Sequence, residues 1–416
     1  MDISSIPLQQ QVCPTTIGEL RKRLYKQTME TRFGMSDIDF DSVQDRRDTD
    51  SNKWGKYAGE NILPMWVADM DFRAPQAIID AIKHRADHGI FGYGAAAAEL
   101  KSVIIERLDR LYEWKVDEED ILFLTGVVPG LNLACRGLVD SSESVVTVVP
   151  VYHPFLSAPG NWGRILHRVR ADFVNGKWPF PQQKFEKALT DNPDIRLMLL
   201  SNPFNPIGRL LDSSELEKIV ESCYENDVLI SSDEIHCDLL FDNRRHVPTA
   251  SVSQEAADIT ITFLAPTKTF NLAGLGGSVA IIQNREIRER FEQAKEGAMS
   301  SVNIFAYTSM LTAYRDCETW RLELIKYLQA NRDYLADRIA RMPGISMSPV
   351  EATYLAWLDV SKLELTDAMA FFETAGVGLS DGAQFDGPGF MRLNFGCPRD
   401  TLVEACNRIE EAVHSI

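Results

Sequence analysis

Ile259-Thr260-Ile261-Thr262-Phe263-Leu264 runs directly into Ala265-Pro266-Thr267-Lys268-Thr269-Phe270-Asn271-Leu272-Ala273-Gly274-Leu275-Gly276-Gly277. The first six residues are apolar or β-branched at every position, as in a strand buried on both faces of a parallel sheet. Lys268, in the loop that follows, is the one formal charge between Asp258 and Arg285. An ammonium among apolar and small residues is costly unless it is paired or neutralised. Proteins use that cost to obtain a nucleophilic amine, because a desolvated lysine loses its proton more easily. The competing reading is a surface lysine whose stem lies on apolar surface with its head in water, and the rest of the chain has to choose.

Similar short apolar runs occur at 145–149, 195–200 and 228–232, with 277–282 as a fifth candidate. Helical or turn-like stretches separate them, a pattern that predicts an α/β fold with a mostly parallel central sheet. Pro75, the apolar stripe Ile78, Ile79 and Ile82, and Gly89 predict a helix beginning near residue 75. Long helical patterns follow residue 310. A compact α+β unit then closes the chain, with strands at 353–358 and 390–395 and a helix at 367–374. A last helix carries Leu402, Val403, Cys406, Ile409 and Val413 on one face. The expected organisation is an arm at 1–36, with a possible short helix at 18–25, and a segment at 37–74 joining a small domain. A large domain at 75–310 and the small domain at 311–416 complete it.

In such a sheet, ligands collect beyond the carboxyl ends of the strands, and the unusual residues sit at those places. The run 121–124 leads to Thr125-Gly126-Val127-Val128-Pro129-Gly130, a turn before a helix whose free N–H groups can hold a phosphate. Pro150-Val151-Tyr152-His153 follows 145–149, and Asn202-Pro203-Phe204-Asn205-Pro206 follows 195–200. Ser232-Asp233-Glu234-Ile235-His236 follows 228–232. Singly, each piece also reads as ordinary structure: two Asn-Pro turns, a helix cap at Asp233, a packing tyrosine. Together they supply a phosphate turn, an aromatic ring, an amide, a carboxylate and a desolvated lysine. A phosphorylated pyridine aldehyde would need that set.

The net charge of −17 argues against binding a phosphate backbone or an anionic membrane surface. The seven cysteines include no C-x-x-C pair, which fits a reducing compartment and neither a disulfide framework nor a zinc site. No run approaches the roughly 18 apolar residues of a membrane span. The first twenty residues lack the charged-then-apolar order of a secretion signal. The expectation is a cytoplasmic protein without metal, nucleic-acid or membrane partners.

Over roughly residues 37–416 the chain resembles the fold-type I pyridoxal-phosphate enzymes, with their aspartate aminotransferase-like fold. More narrowly, it resembles the cystathionine β-lyase-like C–S lyases of the MalY/PatB group in the class I/II aminotransferase superfamily. The marks are Asp45-Arg46-Arg47, Lys53-Trp54, Leu63-Pro64-Met65-Trp66-Val67-Ala68-Asp69-Met70-Asp71-Phe72 and Phe91-Gly92-Tyr93, with the Asn205, Asp233 and Lys268 segments and Arg392-Leu393-Asn394-Phe395. The resemblance implies pyridoxal 5'-phosphate, held covalently by Lys268, which also moves the substrate Cα proton. It implies Asp233 at the pyridine nitrogen, Asn205 at the ring 3-oxygen and Tyr152 stacked on the ring. Gly126, Val127, Val128 and Thr267 would bind the phosphate, and Tyr93 would reach the phosphate of a neighbouring subunit, so a homodimer is expected. Arg392 would clamp the substrate α-carboxylate, and His236 is left as structural.

Elimination from an L-cysteine-derived thioether would give a thiol, pyruvate and ammonia. Amino transfer by the same residues, or a regulatory binding role that keeps the fold, are the alternatives. Ala95, Ala96, Ala97 and Ala98 stand where relatives usually carry bulkier or polar side chains, which leaves side-chain preference open.

Overall fold

The computed structural model describes residues 38–416 apart from Asn175, so the arm expected at 1–36 and its helix lie outside the described residues. After β1 (Leu63–Pro64) come β2 (Ile121–Leu124), β3 (Ser144–Val149), β4 (Ile165–Arg170), β5 (Ile195–Ser201), β6 (Leu229–Asp233), β7 (Thr260–Leu264) and β8 (Ser278–Ile281). The last seven form one sheet in the order β2-β8-β7-β6-β5-β3-β4. Its runs read as continuously apolar because alternate side chains enter two different cores. Val145, Val149, Leu197, Leu199, Ile261 and Phe263 fill one, under the helices Val127–Gly137 and Arg285–Lys295. Val146, Val148, Met198, Leu200 and Ile230 fill the other, under Gln182–Asp191 and Ser213–Glu225. Gly130 lets the first helix come close, since a Cβ there would lie 2.7 Å from the Phe263 ring.

Two features differ from the sequence reading. The strand at 277–282 exists as β8 but runs antiparallel to both neighbours, β7 and β2. The Lys268 loop turns straight back, without the helical crossover that a parallel connection needs. β4 was not anticipated. It pairs in parallel with β3 at the sheet edge, and its exposed Ile165, Arg168 and Arg170 beside buried Val169 hide the apolar signal. Because β8 alone is reversed, β2 points the same way as β3, β5, β6 and β7. Their carboxyl ends all open on one edge.

The chain closes with β9 (Ser346–Met347), β10 (Leu355–Asp359), β11 (Val377–Gly378), β12 (Ser380–Asp381) and β13 (Phe390–Asn394). An antiparallel sheet β12-β13-β10-β9 results, while β1 pairs in parallel with β11. The helix Ala368–Thr374 is capped by Asp367, whose side chain accepts from the Ala370 N–H. The last helix, Arg399–His414, buries Leu402, Cys406, Ile409 and Val413. The expected domain boundary at residue 310 falls inside the helix Ile304–Asp316, which packs on Gln76–Asp87 and Ala98–Tyr112. Among the described residues no helix is long and apolar enough to cross a membrane.

Candidate active site

Adjacent strand ends deliver the site. β7 leads to Lys268, β6 ends on Asp233, β5 leads to Asn205, β3 leads to Tyr152, and β2 leads to Gly126 at the start of the helix Val127–Gly137. The first N–H groups of that helix have no acceptor within it, so Val127 and Val128 present donors at its positive end. Thr267 is buried beside Lys268. From the antiparallel sheet, Arg392 on β13 reaches the same edge and donates Nη1 to Asn205 Oδ1 at 2.9 Å. That leaves the Asn205 amide nitrogen as its free donor.

Burial sets the electrostatics. Lys268 is held down to about 8, first by desolvation and next by the Arg392 charge, against the attraction of Asp69 and Asp233. Asp233 is pushed up to about 7 by burial, although its Oδ1 accepts from the Ile235 N–H at 3.1 Å. Burial also lowers Arg392 to about 10. Among the described residues no carboxylate pairs with this buried guanidinium. It donates to Trp66 O (2.9 Å) and Ser380 Oγ (3.4 Å), lies 4.5 Å from the Phe385 ring, and keeps a buried Nε without a partner. A charge buried this way is costly unless an anion completes it.

Lys268 Nζ donates to the Ala68 carbonyl at 2.7 Å, an oxygen that also accepts from Tyr354 at 3.0 Å. Asn271, in the left-handed region, ties the lysine loop to the same stretch through Met70 and Phe72. Several of these residues were missed in sequence. Tyr354, Ser380 and Phe385 carry no local signal, and Asn394 was quoted only as part of a motif. His236, expected to be structural, is 2% exposed with neither ring nitrogen partnered among the described residues, and burial pulls it down to about 3. Tyr152 is half-buried at the site. Tyr93 is fully exposed and is not brought to this site within the chain.

The residues fit a pyridoxal-phosphate-like group. An amine of lowered pKa suits an aldehyde, helix N–H groups suit a phosphate, and an opposed carboxyl suits a ring nitrogen. The guanidinium with its orphaned Nε suits a further carboxylate. Fold and site together define a cofactor-dependent α/β enzyme of the fold-type I class.

Comparison with known proteins agrees. Residues 60–409 match the family model for aminotransferase class I and II. The chain is 38% identical over 388 residues to cystathionine beta-lyase PatB of Bacillus subtilis (strain 168), covering 90% of this chain and 100% of that protein. The crystal structure of OvoB superposes with a TM-score of 0.88 at 41% identity, covering 91% of this chain and all of that one. Cystalysin from Treponema denticola, which contains a pyridoxal 5'-phosphate cofactor, gives 0.87 at 31% identity, with 91% and 99% covered. The chain belongs to the class I and II aminotransferase family.

Proposed function

We propose that this protein is a pyridoxal-phosphate-dependent C–S β-lyase, cleaving an L-cysteine-derived thioether to a thiol, pyruvate and ammonia. The observation that carries the reading is Arg392, a buried guanidinium that pairs with no carboxylate among the described residues, beside a lysine of lowered pKa on the same sheet edge. The likeness to PatB over 90% of the chain favours elimination over amino transfer.

When bound, the cofactor supplies an electron sink for the pair released at the substrate Cα. The protein's residues do the rest. Arg392 binds the α-carboxylate and fixes the Cα–H bond toward Lys268. Lys268, as free amine, takes the Cα proton, the Cα electron pair then expels the sulfur from Cβ, and the proton held on Lys268 passes to that sulfur so that it leaves as the thiol. The unsaturated product takes up water and leaves as pyruvate and ammonia. Asp233 would offer its carboxylate to the ring nitrogen, and Asn205 would donate its amide N–H to the ring oxygen. Tyr152 would lie against the ring, while Gly126, Val127, Val128 and Thr267 would receive the phosphate.

The exposed Ile90, Phe91 and Tyr93 support a homodimer in which Tyr93 reaches the phosphate site of the second copy. The six described cysteines, all free and buried, support a cytoplasmic location. The organisation we assign is a small domain formed from 40–74 and 317–416 and a large one at 75–316, with the boundary moved past the helix Ile304–Asp316.

The test is incubation of the purified, cofactor-loaded protein with L-cystathionine and a panel of cysteine S-conjugates. Pyruvate and free thiol in equal amounts are expected. Keto-acid-dependent amino transfer without pyruvate would favour the aminotransferase reading, which the same lysine, aspartate and asparagine would serve equally well.

A further inference from the structure

Arg46, Lys53, Trp54 and Asp71 take no part in the chemistry above, yet they form one knot, with Lys53 and Asp71 buried and Arg46 and Trp54 half-buried. Asp71, 6% exposed, accepts from Lys53 Nζ at 2.7 Å, Arg46 Nη1 at 2.8 Å and Trp54 Nε1 at 3.0 Å. Arg46 also pairs with Asp69 at 2.9 Å and donates to the Met70 carbonyl at 3.2 Å. Lys53, 1% exposed, donates to the Asp69 carbonyl at 3.2 Å as well. A buried carboxylate with three donors is strongly fixed, because its removal leaves the buried Lys53 ammonium and the other donors without their shared acceptor.

The stretch the knot grips lacks regular secondary structure beyond β1, so its carbonyls need other partners. Every carbonyl from Trp66 to Met70 receives a side-chain donor. Arg392 and Ser380 hold Trp66 O, and Asn394 holds Val67 O. Lys268 and Tyr354 hold Ala68 O. Asn394 and Lys53 hold Asp69 O, and Arg46 and Asn271 hold Met70 O. Two of these five oxygens are thus occupied by the two groups that handle substrate.

We infer that the Arg46–Lys53–Trp54–Asp71 knot is a positioning device for Lys268 and Arg392. By fixing the course of residues 66–71, it sets the Ala68 carbonyl as the resting acceptor of the Lys268 amine whenever that amine is not covalently engaged. It also sets the Trp66 carbonyl as the stop that registers the Arg392 guanidinium. Asp71 touches neither group and acts through the backbone between. The inference rests on the roles given to Lys268 and Arg392 above and adds what holds them.

The charged groups facing Lys268 are Asp69, Asp233 and Arg392, and of these only Asp69 rides on the gripped stretch. Loosening that stretch takes from the ammonium both its aimed carbonyl and its accompanying carboxylate. Neither loss affects the neutral amine as strongly.

The experiment follows acylation of Lys268 against pH in the full-length chain freed of cofactor, located by peptide mass mapping. KM and kcat of the loaded enzyme are measured beside it. In Asp71→Asn the midpoint is expected to fall by about one pH unit below wild type, and KM to rise about fivefold or more as Arg392 loses register. Should Asp71→Asn fail to fold, Lys53→Met/Asp71→Leu removes both buried charges with little change in volume and is expected to shift both readouts the same way. A folded variant that melts earlier yet keeps the wild-type midpoint and KM would overturn the inference, since a purely structural knot behaves that way. Wild-type cofactor uptake at Lys268 is scored first. A failure there sinks the functional reading as well, whereas unmoved variants in a chain that passes sink this inference alone.

Discussion

Lys268→Met is expected to make the cofactor-free chain more stable, and the size of the gain follows from the site. The fall of the Lys268 amine from 10.5 to about 8 corresponds to about 3 kcal/mol by which folding disfavours the ammonium. Methionine has similar length and no charge to desolvate. The substitution forfeits the bond to Ala68 O, about 1 kcal/mol; that oxygen is not orphaned, because Tyr354 still donates to it. The net gain at pH 7 is about 2 kcal/mol. The sign depends on pH. A lysine whose folded value is lowered destabilises fully below about 8, and the penalty fades as pH rises toward 10.5. Thermal unfolding of both cofactor-free proteins at pH 7 and pH 10 reads this directly. The variant should melt higher at pH 7 and lose most of that advantage at pH 10. An equal or lower melting point at pH 7, or a gain independent of pH, would refute the electrostatic account of the site.

Arg392→Lys replaces a fork that holds Asn205 Oδ1 and Trp66 O with a point charge. KM should rise about 100-fold with the cofactor's absorbance unchanged, and an effect confined to kcat would contradict the assignment. Asp233→Asn should cut kcat by about 10²-fold or more. It should also abolish a pH dependence of the wild type, whose cofactor affinity is expected to weaken below about pH 7 as the Asp233 carboxyl takes up a proton. Equilibrium dialysis across pH 5.5–8 checks this, and a variant with an unaltered pH profile would contradict it.

The sheet was legible where both faces are covered. β3, β5 and β7 are mostly apolar or β-branched because alternate residues meet two different cores, and β6 adds the buried Ser231 and Ser232 before Asp233. β4 escaped because an edge strand keeps one side in water, and Arg168 and Arg170 there read as loop. The reversal of β8 was invisible, since an apolar run has no direction. At the site, Lys268, Asp233 and Asn205 stood out because each is a polar group where the local pattern is apolar or tightly turned, whereas Arg392 came only from the family resemblance. Tyr354, Ser380 and Phe385 did not, since their contacts to Ala68, Trp66 and Arg392 join segments far apart in the chain. The purpose of Lys53 and Asp71 could be found only from the backbone they grip. Tyr93 remains outside the site in the single chain, where it is fully exposed.

Everything proposed for the site depends on Lys268 carrying the cofactor covalently. The direct measurement is borohydride reduction of the protein loaded with pyridoxal 5'-phosphate, followed by digestion and peptide mass mapping. The account predicts that the reduced cofactor's mass appears on the peptide containing Lys268 and is lost in Lys268→Met. A label on another lysine, or none on a protein that still releases pyruvate from a thioether, would contradict it.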